Sequence, residues 1–170
     1  WRSLMKIDDF RQMYLTELQE LRSVEDQLVQ ALPSMVGMIA HPQLKHAIQT
    51  HLEETKAQRD RLDGLLRKHG VDAREHQDGS MQAILSEAER WAKMVSDPDC
   101  RDAGVIASAQ RVEHYEMAVY GTLASWAKLL GLGDDAHTLH DILEEEKRTD
   151  EKLSSLAKQV INPDAMSKAA

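Results

Sequence analysis

Four stretches of this 170-residue chain place apolar residues three and four apart, the period of a helix with one buried side, and every stripe is interrupted by acid. Glu25 interrupts the first stripe, Glu54 the second, Glu113 and Glu116 the third and Glu146 the fourth. A carboxylate facing a helical core is costly unless its charge is compensated. The pattern therefore asks for packed helices and for something that holds the acids between them.

The first helix is expected from about Asp8 to Ala40 on Phe10, Tyr14, Leu18, Leu21, Leu28, Leu32 and Met35, with Pro33 inside it as a kink rather than a break. His41 and Pro42 end it and open the second, which runs to His69 and closes at Gly70. A polar link, Val71 to Gly79, leads to a shorter amphipathic segment from Ser80 to Ser96. Asp97 and Pro98 begin a third long helix that Gly131 and Gly133 end. The fourth runs from about Asp134 to Val160 and is expected to stop before Asn162 and Pro163. Short links within each pair make antiparallel hairpins, and the long middle connection is a crossover. The predicted fold is all-α, a ferritin-like four-helix bundle of two antiparallel hairpins joined by a crossover with a short fifth helix. It is read as one domain over residues 1–170, with 1–6 a tag or disordered start and 161–170 a tail.

Composition agrees and excludes several classes. The chain is 42% hydrophobic but only 4% aromatic, and it is rich in Ala, Leu, Glu, Lys and Gln, which favours helix over sheet. A formal charge of −8 with scattered Lys and Arg offers no basic cluster for nucleic acid. No apolar run is long enough to span a membrane, and the single Cys100 suits a reducing compartment, so a cytoplasmic location is expected. Phosphate loops, nucleophile elbows and paired-cysteine motifs are absent from the sequence.

Sliding the chain on itself by 91 residues superposes Glu25 on Glu116, Leu32 on Leu123, Ile48 on Leu139, Glu54 on Glu145 and Leu62 on Leu153. The two hairpins read as pseudo-duplicates that bring matched acids face to face. At about 100° per residue, Glu25, Glu116 and Glu146 lie near the centres of their stripes, and Glu113 lies about 60° round from Glu116. Glu145 falls about 100° from Glu146, so Glu146 is preferred over the acid the repeat selects. Glu54 is marginal, about 80° from its stripe centre, with His51 and Gln58 nearer to it. Thr149 and Asp150 share the face of Glu146. At 1.5 Å per residue, Glu25, Gln58, Glu116 and Asp150 fall about 25 Å from the hairpin turns, with Glu54 and Glu146 one turn lower.

So many oxygens at one level suit two bound cations such as iron or manganese. The competing reading makes the acids rim residues, or partners of inward-reaching Arg22, Lys147 or Arg148. His114 faces away from Glu116, and His41, His46, His69, His76, His137 and His140 show no paired spacing for zinc.

The runs Tyr14 to Pro33 (YLTELQELRSVEDQLVQALP), His51 to Leu62 (HLEETKAQRDRL), Ala109 to Trp126 (AQRVEHYEMAVYGTLASW) and Glu144 to Leu153 (EEEKRTDEKL) resemble the bacterial stress-induced YciF-type proteins. This is a ferritin-like family long labelled as of unknown function, and the resemblance covers about Asp8 to Ala157. It implies a rubrerythrin-like bundle, a homodimer and a di-iron site whose ligands are Glu25, Glu54, Glu113, Glu116 and Glu146. Gln58 stands where such proteins tend to carry a His four residues after the second-helix Glu, and no His follows Glu146 by three or four, so both helices lack the Glu-x-x-His pattern of the best-known di-iron bundles. Gln58 and Asp150 complete the expected ligand set.

Two functions follow as expectations. The first is a stress protein with a carboxylate-rich pair of iron ions, or manganese, working in oxygen, peroxide or iron handling as a ferroxidase- or peroxidase-type oxidoreductase. The second is a non-enzymatic helical homodimer with a vestigial metal site, acting through the crossover face around Trp91 and Met94.

Overall fold

The computed structural model describes residues 6–167, and every regular element among them is helical. Helix α1 spans Phe10–Met38, α2 Pro42–His69, α3 Gly79–Met94, α4 Pro98–Leu129, α5 Gly133–Leu156 and α6 Asn162–Met166. Most of the expected tag or lead at residues 1–6 lies outside the described residues.

The ends follow from local chemistry. Asp9, Asp78 and Asp97 each accept a hydrogen bond on the side-chain carboxylate from the backbone N–H three residues on, of Gln12, Met81 and Cys100, at the starts of α1, α3 and α4. Pro42 and Pro98 occupy first-turn positions, where a missing N–H costs nothing. Gly70 ends α2 at φ 69°, a left-handed conformation that glycine adopts without a Cβ clash. Helix α1 runs through Pro33.

The fourth long helix corrects its expected end. Instead of stopping before Asn162, α5 passes into a π-helical turn, Ala157–Ile161, and on into α6. Proline cannot donate to the residue four before it, and the wider turn lets the Asn162 N–H reach Ala157 O while Pro163 falls in the first turn of α6. Ile161 is buried, and α6 packs on α4.

Helices α1 and α2 pack as one hairpin and α4 and α5 as another, with α1 against α4 and α2 against α5. Their inner faces form a single core from Tyr14 to Ile161. Helix α3 lies outside on α4 and α1, anchored through Met81, Ala88 and Ala92. Two buried aspartates fix the connections. Asp102 of α4 accepts from Ala40 N at 3.0 Å and His41 N at 2.6 Å, holding the α1–α2 turn. Asp78 accepts from the Tyr115 hydroxyl at 2.5 Å, while its own N–H donates to Ser23 Oγ at 2.7 Å, pinning the start of α3. Asp102 thus brings a carboxylate from elsewhere in the chain to two backbone donors that no helix satisfies, and Ser23 accepts the Asp78 N–H that precedes α3.

Candidate metal centre

Glu25 on α1, Glu113 and Glu116 on α4 and Glu146 on α5 are each fully buried. The Glu-x-x-Glu spacing on α4 brings both its acids to the inner face. His51 on α2 joins them, 3% exposed, with Nε2 3.2 Å from Glu113 Oε1. One ligating atom from each of His51, Glu113, Glu116 and Glu146 falls within 4.8 Å of the others. Glu25 adjoins this group beside Glu116, and its Oε1 accepts the hydroxyl of buried Tyr120.

As carboxylates these groups are orphans. Both oxygens of Glu113, Glu116 and Glu146, one of Glu25 and both nitrogens of His51 are buried without a hydrogen-bond donor or acceptor. No Lys or Arg forms an ion pair with any of the four acids among the described residues. Arg22 goes to Asp63 at 2.8 Å and Lys147 to Glu144 at 2.7 Å, while Arg148 lines a cleft. Burial first, and then mutual repulsion, holds Glu25, Glu113 and Glu116 well above the ordinary carboxylate range. Burial likewise lifts Glu146 to about 7, and it lowers His51 to about 4, leaving a neutral imidazole with a lone pair to give. Orphaned oxygens and a neutral nitrogen on facing helices fit a divalent cation far better than they fit an apolar core.

The remaining candidates stand further out. The Glu54 side chain is 46% exposed, its Oε2 4.0 Å from His51 Nδ1. Gln58 is buried, but its Nε2 donates to Glu145 at 3.1 Å, and Arg61 also binds that carboxylate. Asp150 lies at the edge, accepting from Gln110 at 3.3 Å with His114 Nε2 at 3.4 Å. His51 is the one member of the cluster outside the ligand set expected from the sequence. The repeat offers a signal for it: 91 residues before Glu146 stands Thr55, buried but not ionisable, so α2 has no inward acid at that level.

Comparison with known proteins gives the family and the fold. The domain of unknown function DUF892 matches residues 9–166. The chain belongs to the DUF892 family. Protein YciF of Escherichia coli (strain K12) is 36% identical over 166 residues, covering 97% of this chain and all of that protein. The crystal structure of the E. coli stress protein YciF superposes with a TM-score of 0.87 at 35% identity, over 92% of this chain and 99% of the other. YcfI from Rhodopseudomonas palustris gives 0.86 at 34% identity, over 89% and 97%. A protein from Xanthomonas campestris pv. campestris, 20% identical, shares the fold with a TM-score of 0.74 over 95% and 99%. This DUF892 member has only helices as regular elements among its described residues, and none of them is long and apolar enough to cross a membrane.

Proposed function

We propose that this protein is a ferritin-like stress protein whose four long helices hold a carboxylate-rich dinuclear metal centre, iron or manganese, for handling oxygen, peroxide or iron. The observation that carries the reading is a set of four buried acids and a neutral histidine that no Lys or Arg pairs with among the described residues, with seven of the eight carboxylate oxygens lacking a hydrogen-bond donor. His51, Glu113, Glu116 and Glu146 would hold one ion, and Glu25 would extend the site toward a second, with Glu116 between them. Glu54, Gln58 and Asp150 stand outside this ligand set, Glu54 half-exposed and the other two engaged with Glu145 and Gln110. Bound there, a redox-active metal pair supplies one-electron chemistry toward oxygen or peroxide.

The chain's own residues do the rest. Acids with raised proton affinity release protons as cations replace them. The core residues Leu21, Leu28, Leu62 and Leu123 keep bulk water away. Tyr120 holds Glu25 in one orientation through its hydroxyl. The kinship to a protein named a stress protein supports the setting, and a single cysteine suits the cytoplasm. A second reading, a homodimer working by contact with other proteins, draws on Trp91 and Met94 of α3, 44% and 60% exposed.

Elemental analysis of the protein as purified and after anaerobic Fe(II) addition, followed by air exposure with near-ultraviolet absorbance, tests the reading. Two metals per chain, lost in the Glu25→Ala, Glu116→Ala variant, and an oxygen-dependent rise in absorbance are expected. Absence of stoichiometric metal under both conditions would overturn it in favour of partner binding.

A further inference from the structure

We infer that the cleft between α2 and α5 is the port through which a divalent cation reaches the buried acids, with Glu54 the carboxylate that receives it and passes it to His51. The inference rests on the reading of those acids as a metal centre. The cleft measures about 230 Å³ and is lined by Glu54 on α2 and by Glu145, Arg148, Thr149 and Lys152 on α5. Its lining therefore includes the immediate neighbour of Glu146 and the residue one helical turn from His51.

Ligating side chains descend from this cleft in steps of decreasing exposure. The Glu54 side chain is 46% exposed, that of His51 3% and that of Glu113 1%, with 4.0 Å between the first pair and 3.2 Å between the second. The second acid of the cleft is already engaged, because Arg61 and Gln58 both hydrogen-bond Glu145. Glu54 has no Lys or Arg partner among the described residues; its Oε2 lies 4.0 Å from the orphaned Nδ1 of the neutral His51. A carboxylate left open to water on one side and to an unpaired imidazole on the other can take a hydrated cation and surrender it inward. Arg148 and Lys152 at the same cleft oppose cation approach, so they set the rate without altering the final ligands. Asp150 and His114, 3.4 Å apart on the α4 side of α5, are the alternative path, although Gln110 already occupies Asp150.

Stopped-flow uptake of Co(II) by the metal-free protein, read from the visible bands of the ligated ion, separates these possibilities. Glu54→Gln is expected to slow uptake by about tenfold or more with unchanged final stoichiometry, and Arg148→Glu to speed it several-fold at low salt. Asp150→Asn should leave the rate unchanged. The port assignment is overturned if Glu54→Gln takes up Co(II) at the parent rate, if Asp150→Asn is the slow variant, or if Glu54→Gln loses an equivalent of metal and so behaves as a ligand. Failure of the parent protein to take up any Co(II) would overturn the metal centre itself, and the port with it.

Discussion

His51 Nε2 stands 3.2 Å from Glu113 Oε1 at the centre of the bundle, and burial keeps the imidazole neutral, so no salt bridge compensates the contact. A neutral nitrogen beside a proton-hungry carboxylate is what a cation would organise. His51→Ala is expected to weaken Co(II) or Fe(II) binding by about tenfold or more, measured by competition with a chelating dye. Binding as tight as the parent's would remove His51 from the site.

The clustered acids should make the metal-free protein alkali-sensitive. Unfolded, these glutamates ionise near 4.5; folded, Glu146 does so at about 7 and Glu25, Glu113 and Glu116 well above 4.5. Between those values the native chain holds more protons than the unfolded one, so stability falls as pH rises. His51 acts oppositely, but only between about 4 and 6.5, where the unfolded imidazole is charged and the native one is not. Above pH 6.5 the acids act alone, and urea unfolding of metal-free protein should show declining stability from pH 6.5 to 8.5. Metal-loaded protein should show little decline, because the cation replaces the protons.

Function and stability should conflict at Glu116. Its carboxyl is buried without a donor, and Glu25 and Glu146 repel its charge. Glu116→Gln is expected to raise metal-free stability at pH 8 by about 1–3 kcal/mol while abolishing metal uptake. A destabilised variant would mean that Glu116 has an internal partner after all.

At the far end of the bundle another buried acid, Asp135, is fully answered. Asp135 accepts from Tyr14 Oη at 2.9 Å, His69 Nε2 at 2.5 Å and Lys68 Nζ at 3.0 Å. Burial alone would raise its pKa, but these hydrogen bonds outweigh it and hold the group below 3.8. Its stabilisation is therefore present above pH 3.8 and lost as pH falls through the lower folded value. Asp135→Ala should cost about 3 kcal/mol in thermal or urea unfolding at pH 7, leaving Tyr14 and His69 without their acceptor. Metal uptake should be unaffected, since this cluster lies apart from the acids around Glu146.

Gln58 offers a gain-of-affinity test. It is buried at the level of the acids, yet its amide nitrogen is spent on Glu145 and its oxygen is orphaned. Gln58→His is expected to tighten Co(II) binding by about tenfold, read in the same dye competition. An unchanged affinity would place position 58 outside the coordination sphere.

Much of this was legible in the residues because helical periodicity is a local property. Stripe position alone identifies Glu25, Glu116 and Glu146 as inward and Glu145 as peripheral, and the structure buries the first three completely while leaving the Glu145 side chain 27% exposed. Caps and glycines likewise fixed the ends at Asp97, Pro98 and Gly70, whose chemistry is settled within one turn. Tertiary structure decided the rest. Whether α2 offers Glu54 or His51 depends on how far that helix is rotated against α5, a packing outcome of every core side chain at once. The run-on through the π-helical turn into α6 depends on Ile161 finding a buried site that outweighs the stop signal of Asn162 and Pro163. Sequence fixes which way each helix faces; only the packed bundle decides which ligating atoms meet, because a rotation of a few tens of degrees exchanges one residue for its neighbour a turn away.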